Sequence, residues 1–447
     1  MGGSSRFRPN WLEWKVERAS RTFRVHVVEP ATNDPPKHAA LFRAALQCFL
    51  PQQSTEYALP SDPNPVIAPI STPERFDLLT FPEAFLPKKT LVDTLLFLGR
   101  TGIRLGCVHT GIRPTDQPEM THLFDVRELT ALLSQLSQVP NFSRHDLVPF
   151  GNWLVEQQPS DRFNIGCLFA IDAEGKLRAC LHAKLVRSKF EVSPEHERHM
   201  KEANLLSLVT LRPTDVNLSS ITLQPLICSD MLNTDTDEPN NHPLRATSTH
   251  RSVFPQVHAD EIDVVSVATC SPNKSLSGSD AAWHQKFRES FQRAAADDGR
   301  HRYAAIVLAN YHFFQVDPPS KGGLSGVFVP LPIYSSPYDP RVSAAQCIYG
   351  RFPSRYDSGI TEEDERWVGD DGSWHDGKRY HVLGYIVSLA SSAHRPDSAA
   401  TMFGFTVSRL PKDANRWTRN GSVNDFSVHH AHPTADGEFE FLIQAVP

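Results

Sequence analysis

The sequence lacks several features that would indicate common classes of protein. Lysine and arginine number 45 against 51 aspartate and glutamate, a formal net charge of −6, so nothing indicates a polyanionic partner such as a nucleic acid. No apolar run approaches the roughly 18 residues that a membrane span needs. Residues 1–8 are small, polar and basic with no apolar segment, unlike a secretory signal. We therefore expect a cytoplasmic protein with neither a membrane nor a nucleic-acid partner.

The cysteines also lack a pattern. The 7 cysteines are scattered, and no pair has the CxxC spacing of metal sites and redox motifs. An odd, dispersed set fits reduced thiols better than a disulfide framework. His429, His430 and His432 have spacings that suit a metal, but a polar loop near the C-terminus is the preferred interpretation.

Short apolar runs alternate with amphipathic helices in the first part of the 447-residue chain. Strands and helices in the order β-α-β-α-β are predicted over 22–28, 37–50, 76–80, 88–99 and 103–110. This order is typical of a parallel or mixed sheet with covering helices. Residues 1–21 are expected to form a tail with a short helix over 11–19.

The periodicity of apolar residues also predicts the helices and strands in the rest of the chain. Helices are predicted over 129–139 and 281–298, with a loop at 147–151 between the first of them and a hairpin. The hairpin and the other strands are predicted over 163–171, 177–182, 205–211, 221–227, 261–269, 303–309, 381–389, 401–407 and 438–445.

An apolar strand ends abruptly at Cys228, and turn-forming residues follow at once. A cysteine at such a corner can expose its thiol, and the next backbone N–H, that of Ser229, can point at a substrate oxygen. A buried cysteine taken alone is more often a small core residue. Cys270 also ends a buried strand and is the rival nucleophile, although Pro272 offers no N–H at the second position after it.

Four segments follow one another in the chain: Leu78-Leu79-Thr80-Phe81-Pro82-Glu83, the hairpin from Phe163-Asn164 to Lys184, Leu226-Ile227-Cys228-Ser229-Asp230, and the helix 281–298 with the strand that ends in Asn310 and the Gly-Gly-Leu-Ser-Gly-Val-Phe-Val-Pro stretch at 322–330. In this order they resemble the carbon-nitrogen hydrolase (nitrilase) superfamily. The resemblance covers about residues 22–335 and implies an α/β fold, a four-layer α-β-β-α sandwich. The segment 336–447 is then a C-terminal extension that packs on this core or on a partner subunit.

The resemblance also implies the roles of the site residues. Cys228 is the expected nucleophile, and Glu83 is the expected base and later acid. Lys184 and the backbone N–H of Ser229 hold the oxyanion, and Glu191 is similar to a second glutamate near the lysine. The implied function is hydrolysis of a non-peptide carbon–nitrogen bond in a small molecule through a cysteine thioester, with an amide favoured over a nitrile as the substrate class, by a homo-oligomer without metal or cofactor.

The sequence departs from the family pattern after the nucleophile. Ser229 stands where the family usually has an aromatic residue, and Met231-Leu232-Asn233 lacks the usual helix-like continuation. A polar stretch over 233–243 is expected to form a loop over the site, and Asp230 is expected to organise the turn. Two alternatives stay open: a low-activity binding or regulatory module that acts with a protein partner, and an N-acyltransferase that uses the same thioester.

Overall fold

The structure is a computed structural model of the chain. It describes residues 6–18, 22–32, 34–50, 76–118, 121–188, 191–192, 199–232, 243, 262–270, 305–311, 313–314, 320–321, 325–330, 382–386, 398–409 and 421–444. The helix expected over 281–298 and the polar loop expected over 233–243 lie outside these residues, apart from residue 243.

The strands in these ranges are numbered in chain order. They are β1 (Arg8–Val16), β2 (Thr22–Pro30), β3 (Leu78–Thr80), β4 (Leu86–Pro87), β5 (Cys107–Arg113), β6 (Phe124–Asp125), β7 (Arg162–Phe163), β8 (Ile165–Ile171), β9 (Leu177–Ala183), β10 (Leu205–Pro213), β11 (Ile221–Ile227), β12 (Ile262–Ala268), β13 (Ala305–Ala309), β14 (Phe313–Phe314), β15 (Ser320–Lys321), β16 (Gly326–Pro330), β17 (Val382–Ile386), β18 (Ala400–Arg409), β19 (Gly421–Pro433) and β20 (Phe439–Gln444).

The helices in the same ranges are fewer. They are α1 (Pro35–Gln47), α2 (Lys88–Thr101), α3 (Val126–Ser137), α4 (Val148–Leu154) and α5 (Ser229–Leu232), with one turn of 3₁₀ helix at Arg144–Leu147. None of these described helices is long and apolar enough to cross a membrane.

Most of the described strands form two large mixed sheets. The seven-stranded sheet has the order β1-β10-β11-β12-β13-β16-β17, and the nine-stranded sheet runs β20-β19-β18-β2-β3-β5-β8-β9 with β4 beside β5. Strands β11, β12 and β13 are parallel neighbours in the first sheet, and β2, β3 and β5 are parallel neighbours in the second. The carboxyl ends of parallel strands meet at one edge of a sheet, which is where the candidate site lies.

The two sheets bury a shared apolar core. Val25, Leu78 and Leu168 of the nine-stranded sheet belong to the same buried cluster as Leu223 and Val264 of the seven-stranded sheet. Helices α1 and α2 pack on the nine-stranded sheet as part of a second, larger cluster. Strand residues therefore alternate between a sheet-to-sheet core and a helix-to-sheet core, which is the period of two expected of buried strands.

Local sequence explains the ends of the helices near the site. In α3, Asp125 accepts from Glu128 N at 2.7 Å and its own N–H donates to the Glu128 carboxylate at 2.9 Å, a reciprocal capping box. Helix α2 ends at Gly102, whose φ of 62° is the left-handed conformation that glycine adopts readily.

The expected tail and short helix at the N-terminus are wrong for residues 8–16. These residues form β1, which pairs in parallel with β10 along its whole length. Leu12, Trp14 and Val16 are buried and alternate with the exposed Glu13 and Lys15. That alternation has the period of a half-buried strand, so the sequence of residues 8–16 itself favours a strand over a tail.

Three further expectations are corrected. The loop expected at 147–151 is the start of α4, where Pro149 occupies the first turn and Phe150 and Trp153 are buried at helical spacing. The loop expected around His429, His430 and His432 is strand β19. The chain after Cys228 does continue into a short helix, α5.

Strands from residues 336–447 are built into both sheets. Strand β17 pairs with β16, and β18 pairs antiparallel with β2 from Thr22 to Pro30. The segments expected at 381–389, 401–407 and 438–445 correspond to β17, β18 and β20, and β19 was not expected. The described residues of this region therefore add to the sheets themselves.

A buried chain of polar side chains links the two sheets behind the site. His109 Nε2 lies 3.1 Å from His182 Nε2, and His109 Nδ1 lies 2.7 Å from Ser266 Oγ in the opposite sheet. Gly166 makes room for this pair, since a Cβ there would lie 2.4 Å from His182 Nε2. Burial lowers the pKa of His182 to about 3, and burial with the nearby His182 lowers that of His109 well below its usual value. Both rings are therefore neutral at pH 7.

This pair predicts a loss of stability on acidification. Below roughly pH 6.5, the pKa of a histidine in the unfolded chain, the unfolded chain binds protons at these two positions. The folded protein does not, because both pKa values are lowered, so acidification favours the unfolded state. Each histidine should therefore lower the free energy of unfolding by about 2 kcal/mol between pH 7 and pH 5. Urea unfolding at both pH values checks this. His182→Gln should make the difference between the two pH values smaller, and an unchanged difference would contradict the assignment.

Candidate active site

Glu83 lies in a tight turn after β3. Its backbone N–H donates to Thr269 O at 3.3 Å, and Tyr311 Oη donates to Glu83 O at 3.0 Å. The next residue, Ala84, has a φ of 50°. Gly111 of β5 passes so close that a Cβ would lie 2.5 Å from Glu83 Cα and 2.3 Å from Ala84 N. A glycine at 111 is therefore what allows the turn to place the Glu83 side chain in the site.

Lys184 follows the last residue of β9 and is fully enclosed. Its side chain is 1% exposed, and its Nζ lies 2.7 Å from Glu83 Oε1 and 2.9 Å from Glu191 Oε2. Burial alone lowers the pKa of a lysine, but the charges of Glu191 and Glu83 outweigh it and hold the Lys184 pKa well above its usual value. Lys184 is therefore a fixed ammonium ion.

The two glutamates differ in how their oxygens are used. Glu191 Oε2 accepts from Ser188 N at 2.9 Å, from Ser188 Oγ at 2.8 Å and from Lys184, and its Oε1 accepts from Asn164. Glu83 takes both of its donors, Lys184 and Asn164, on Oε1 alone. No described residue donates to Glu83 Oε2. Glu83 therefore keeps one oxygen open, whereas both oxygens of Glu191 are engaged.

The charge of Glu191 is strongly favoured. Burial raises the pKa of this carboxyl, but Lys184 and then His122, whose Nε2 is 3.7 Å from Glu191 Oε1, lower it far below its usual value. In the sequence, Glu195 and Glu197 lie close to Glu191, and no local pattern separates Glu191 from them. The contact with Lys184 distinguishes it, and that contact is visible only in three dimensions.

Cys228 occupies a strained corner at the end of β11. Its φ of 41° lies in the left-handed region that residues with a side chain rarely adopt. Its N–H donates to Ala268 O at 2.9 Å, and its O accepts from Met231 N at 3.0 Å. A negative charge on Cys228 raises the pKa of Lys184 further, so the two groups are close enough to interact electrostatically. Ser229 follows as the first residue of α5, where a backbone N–H has no partner within the helix.

Asp230 holds the corner by hydrogen bonds. Its carboxylate accepts from Leu185 N at 2.7 Å, Val186 N at 2.8 Å and Ile227 N at 3.0 Å. Burial raises the pKa of Asp230 to about 7, against these donors and Lys184, which lower it. Asp230 thus joins the backbone before Cys228 to the backbone after Lys184.

Cys270, the rival nucleophile, lies two residues after the end of the neighbouring strand β12. Burial raises its pKa well above the usual value, and the charges of Glu83 and Cys228 raise it further. A thiol whose ionisation is opposed in this way is a poor nucleophile. Within the described residues, no cluster of histidine, cysteine, aspartate or glutamate side chains could hold a metal ion.

No protein-family model and no curated protein matches the sequence. The structure resembles an amidase of the nitrilase superfamily. That amidase is from Nesterenkonia sp. AN1, and a double mutant in complex with acrylamide has a TM-score of 0.34 and 12% identity, over 70% of this chain and 85% of that chain.

Two other structures of the amidase give similar values. The Nesterenkonia sp. crystal structure has a TM-score of 0.34 and 14% identity, over 70% of this chain and 84% of that chain. A mutant showing Michael addition of acrylamide at the active-site cysteine has a TM-score of 0.32 and 13% identity, over 69% and 85%. At this level of similarity, function has to be argued from the residues of the site.

The strain at Cys228 predicts an unusual order of stabilities. Glycine adopts positive φ without penalty, whereas a residue with a Cβ pays roughly 1–2 kcal/mol. Cys228→Gly should therefore unfold at higher urea concentration than Cys228→Ala, by about 1 kcal/mol in free energy. At Cys107, buried in the extended strand β5, the order should reverse. Alanine being the more stable at both positions would contradict the strained corner.

Proposed function

We propose that the chain hydrolyses a non-peptide carbon–nitrogen bond, an amide in preference to a nitrile, through a thioester on Cys228. The observation that carries the proposal is the buried Lys184 ammonium, 2.7 Å from Glu83 and 2.9 Å from Glu191, beside a cysteine in a strained corner. The shared core of the two sheets fits the inner layers of a four-layer α-β-β-α sandwich, which we propose as the fold.

The first step needs a base for the thiol. Glu83 is suited to this role because its Oε2 is open while Oε1 is fixed by Lys184 and Asn164. Transfer of the Cys228 proton to Oε2 generates the thiolate, which is the nucleophilic form of cysteine. Lys184 stabilises this thiolate electrostatically.

The thiolate then attacks the amide carbon, and negative charge develops on the carbonyl oxygen. The Lys184 ammonium and the backbone N–H of Ser229 are the donors proposed for that oxygen. Protonated Glu83 next gives its proton to the leaving nitrogen, so that ammonia or an amine departs and a thioester remains. Glu83, again ionised, accepts a proton from the water that attacks the thioester carbon. The C–S bond then breaks, the carboxylic acid leaves, and Glu83 returns the proton to the Cys228 sulfur, which restores the thiol.

The nucleophile is tested first. Purified protein should release ammonia from at least one member of a panel of amides, nitriles and carbamoyl compounds, and Cys228→Ala should abolish this activity while the protein stays folded. Iodoacetamide should alkylate Cys228 far faster than the other cysteines, as read by mass spectrometry. Activity that survives Cys228→Ala would contradict the proposal and direct the test to Cys270. A Cys228 no more reactive than the rest would favour a binding module that keeps the fold.

The two acids are tested against each other. Glu83→Gln keeps the shape but removes the base, so turnover should fall by about 10²–10⁴-fold. Glu191→Gln should cause a smaller loss, because both Glu191 oxygens are already engaged by Ser188, Lys184 and Asn164. Turnover numbers of the two variants on the same amide, with circular dichroism as the control for folding, decide this. Equal losses would show that Glu191 shares in proton transfer.

A further inference from the structure

A buried asparagine bridges the two acids of the site. Asn164 has no exposed surface, and its Nδ2 donates to Glu83 Oε1 at 2.7 Å and to Glu191 Oε1 at 2.9 Å. In the sequence, Asn164 is only one residue of the hairpin segment that leads to Lys184.

Both hydrogens of this amide are committed to carboxylates. The orientation is fixed, because the reversed amide would place its oxygen against two negatively charged groups. In the described part of the chain, Asn164 Oδ1 has no hydrogen-bond partner. A buried carbonyl oxygen without a donor is unfavourable. Oδ1 lacks a hydrogen bond because the amide is oriented so that both hydrogens of Nδ2 reach the two carboxylates.

The backbone of the same residue positions the lysine. Asn164 O accepts from Lys184 N at 2.8 Å, directly across the hairpin formed by β8 and β9. Asn164 therefore contacts all three charged residues of the site: Lys184 through the backbone, and Glu83 and Glu191 through the side chain.

We propose that Asn164 is the positioning residue that keeps Glu83 and Glu191 as two separate carboxylates around one ammonium ion. This inference rests on the proposed function for its catalytic meaning. One lysine balances one carboxylate, so the second negative charge needs other donors. The amide supplies one hydrogen to each acid and locks Glu83 Oε1, which leaves Oε2 as the oxygen that faces the thiol proton.

The balance of charge around Lys184 is tested by the effect of Glu191→Gln on the urea midpoint of unfolding, which should change sign when Asn164 is replaced by Asp. In the wild-type protein, Glu191→Gln removes a partner of Lys184 and should lower the urea midpoint of unfolding. In the Asn164→Asp background three carboxylates surround Lys184. There Glu191→Gln removes one charge and offers an amide donor to Asp at 164, so it should raise the midpoint. A residue that only fills space cannot produce this reversal.

A matched control is available at Asn10. This asparagine is 2% exposed, its Nδ2 donates to Ser207 Oγ at 3.0 Å, and its Oδ1 also has no hydrogen-bond partner among the described residues. In the Asn10→Asp background, Glu191→Gln should still lower the midpoint. If Asn164→Asp does not fold, recovery of folding in Asn164→Asp with Glu191→Gln is the expected result. A midpoint lowered equally in both backgrounds, or no recovery, overturns the inference.

A second measurement connects Asn164 to the chemistry. Asn164→Leu removes both donors at nearly constant volume and should slow alkylation of Cys228 by iodoacetamide at pH 7 roughly tenfold. Asn10→Leu should leave the rate unchanged. An unchanged rate in Asn164→Leu overturns the positioning role. If Cys228 of the wild-type protein is not selectively alkylated, the proposed function fails, and the midpoint reversal still decides whether Asn164 organises the two acids.

Discussion

The site depends on one buried positive charge. Moving an ammonium group out of water is very unfavourable unless it is paired and hydrogen-bonded. Lys184 meets that requirement with carboxylates from two separate segments, the turn after β3 and the segment after β9. Removing either partner would leave a buried charge without full compensation, which is strongly destabilising. The ion cluster thus stabilises the local fold and sets the electrostatics of the site together.

The net charge of this cluster is consistent with the role of base that we propose for Glu83. With both acids ionised, Lys184, Glu83 and Glu191 carry a net charge of about −1. A free thiolate beside them would add a further negative charge to a buried region. In the proposed transfer of the thiol proton to Glu83, the negative charge only moves from the carboxylate to the sulfur, so the total is unchanged. Lys184 faces both positions and stabilises either distribution.

How much the sequence predicts depends on whether the signal is local. Glu83, Lys184 and Cys228 each follow an apolar strand, and a strand end is a pattern within a few residues. The hydrogen bonds from Asn164 to Glu191 and Glu83 join residues 27 and 81 positions apart, and no local pattern encodes them. The pairing of β18 with β2 likewise joins the two ends of the chain. Strand β1, by contrast, has a local signal, because its alternation of apolar and polar residues is present in the sequence.

The residues just after Cys228 show what the serine at position 229 does, where the resemblance leads one to expect an aromatic residue. Ser229 Oγ donates to Val186 O, while Asp230 accepts from Leu185 N and Val186 N. An aromatic side chain without a hydroxyl at 229 could not make the first of these bonds. The corner after Cys228 and the segment after Lys184 are thereby joined by three hydrogen bonds, none of which uses the Cys228 thiol or the Lys184 ammonium. The position of Cys228 relative to Lys184 is therefore set by hydrogen bonds from the Ser229 and Asp230 side chains to the backbone of Leu185 and Val186.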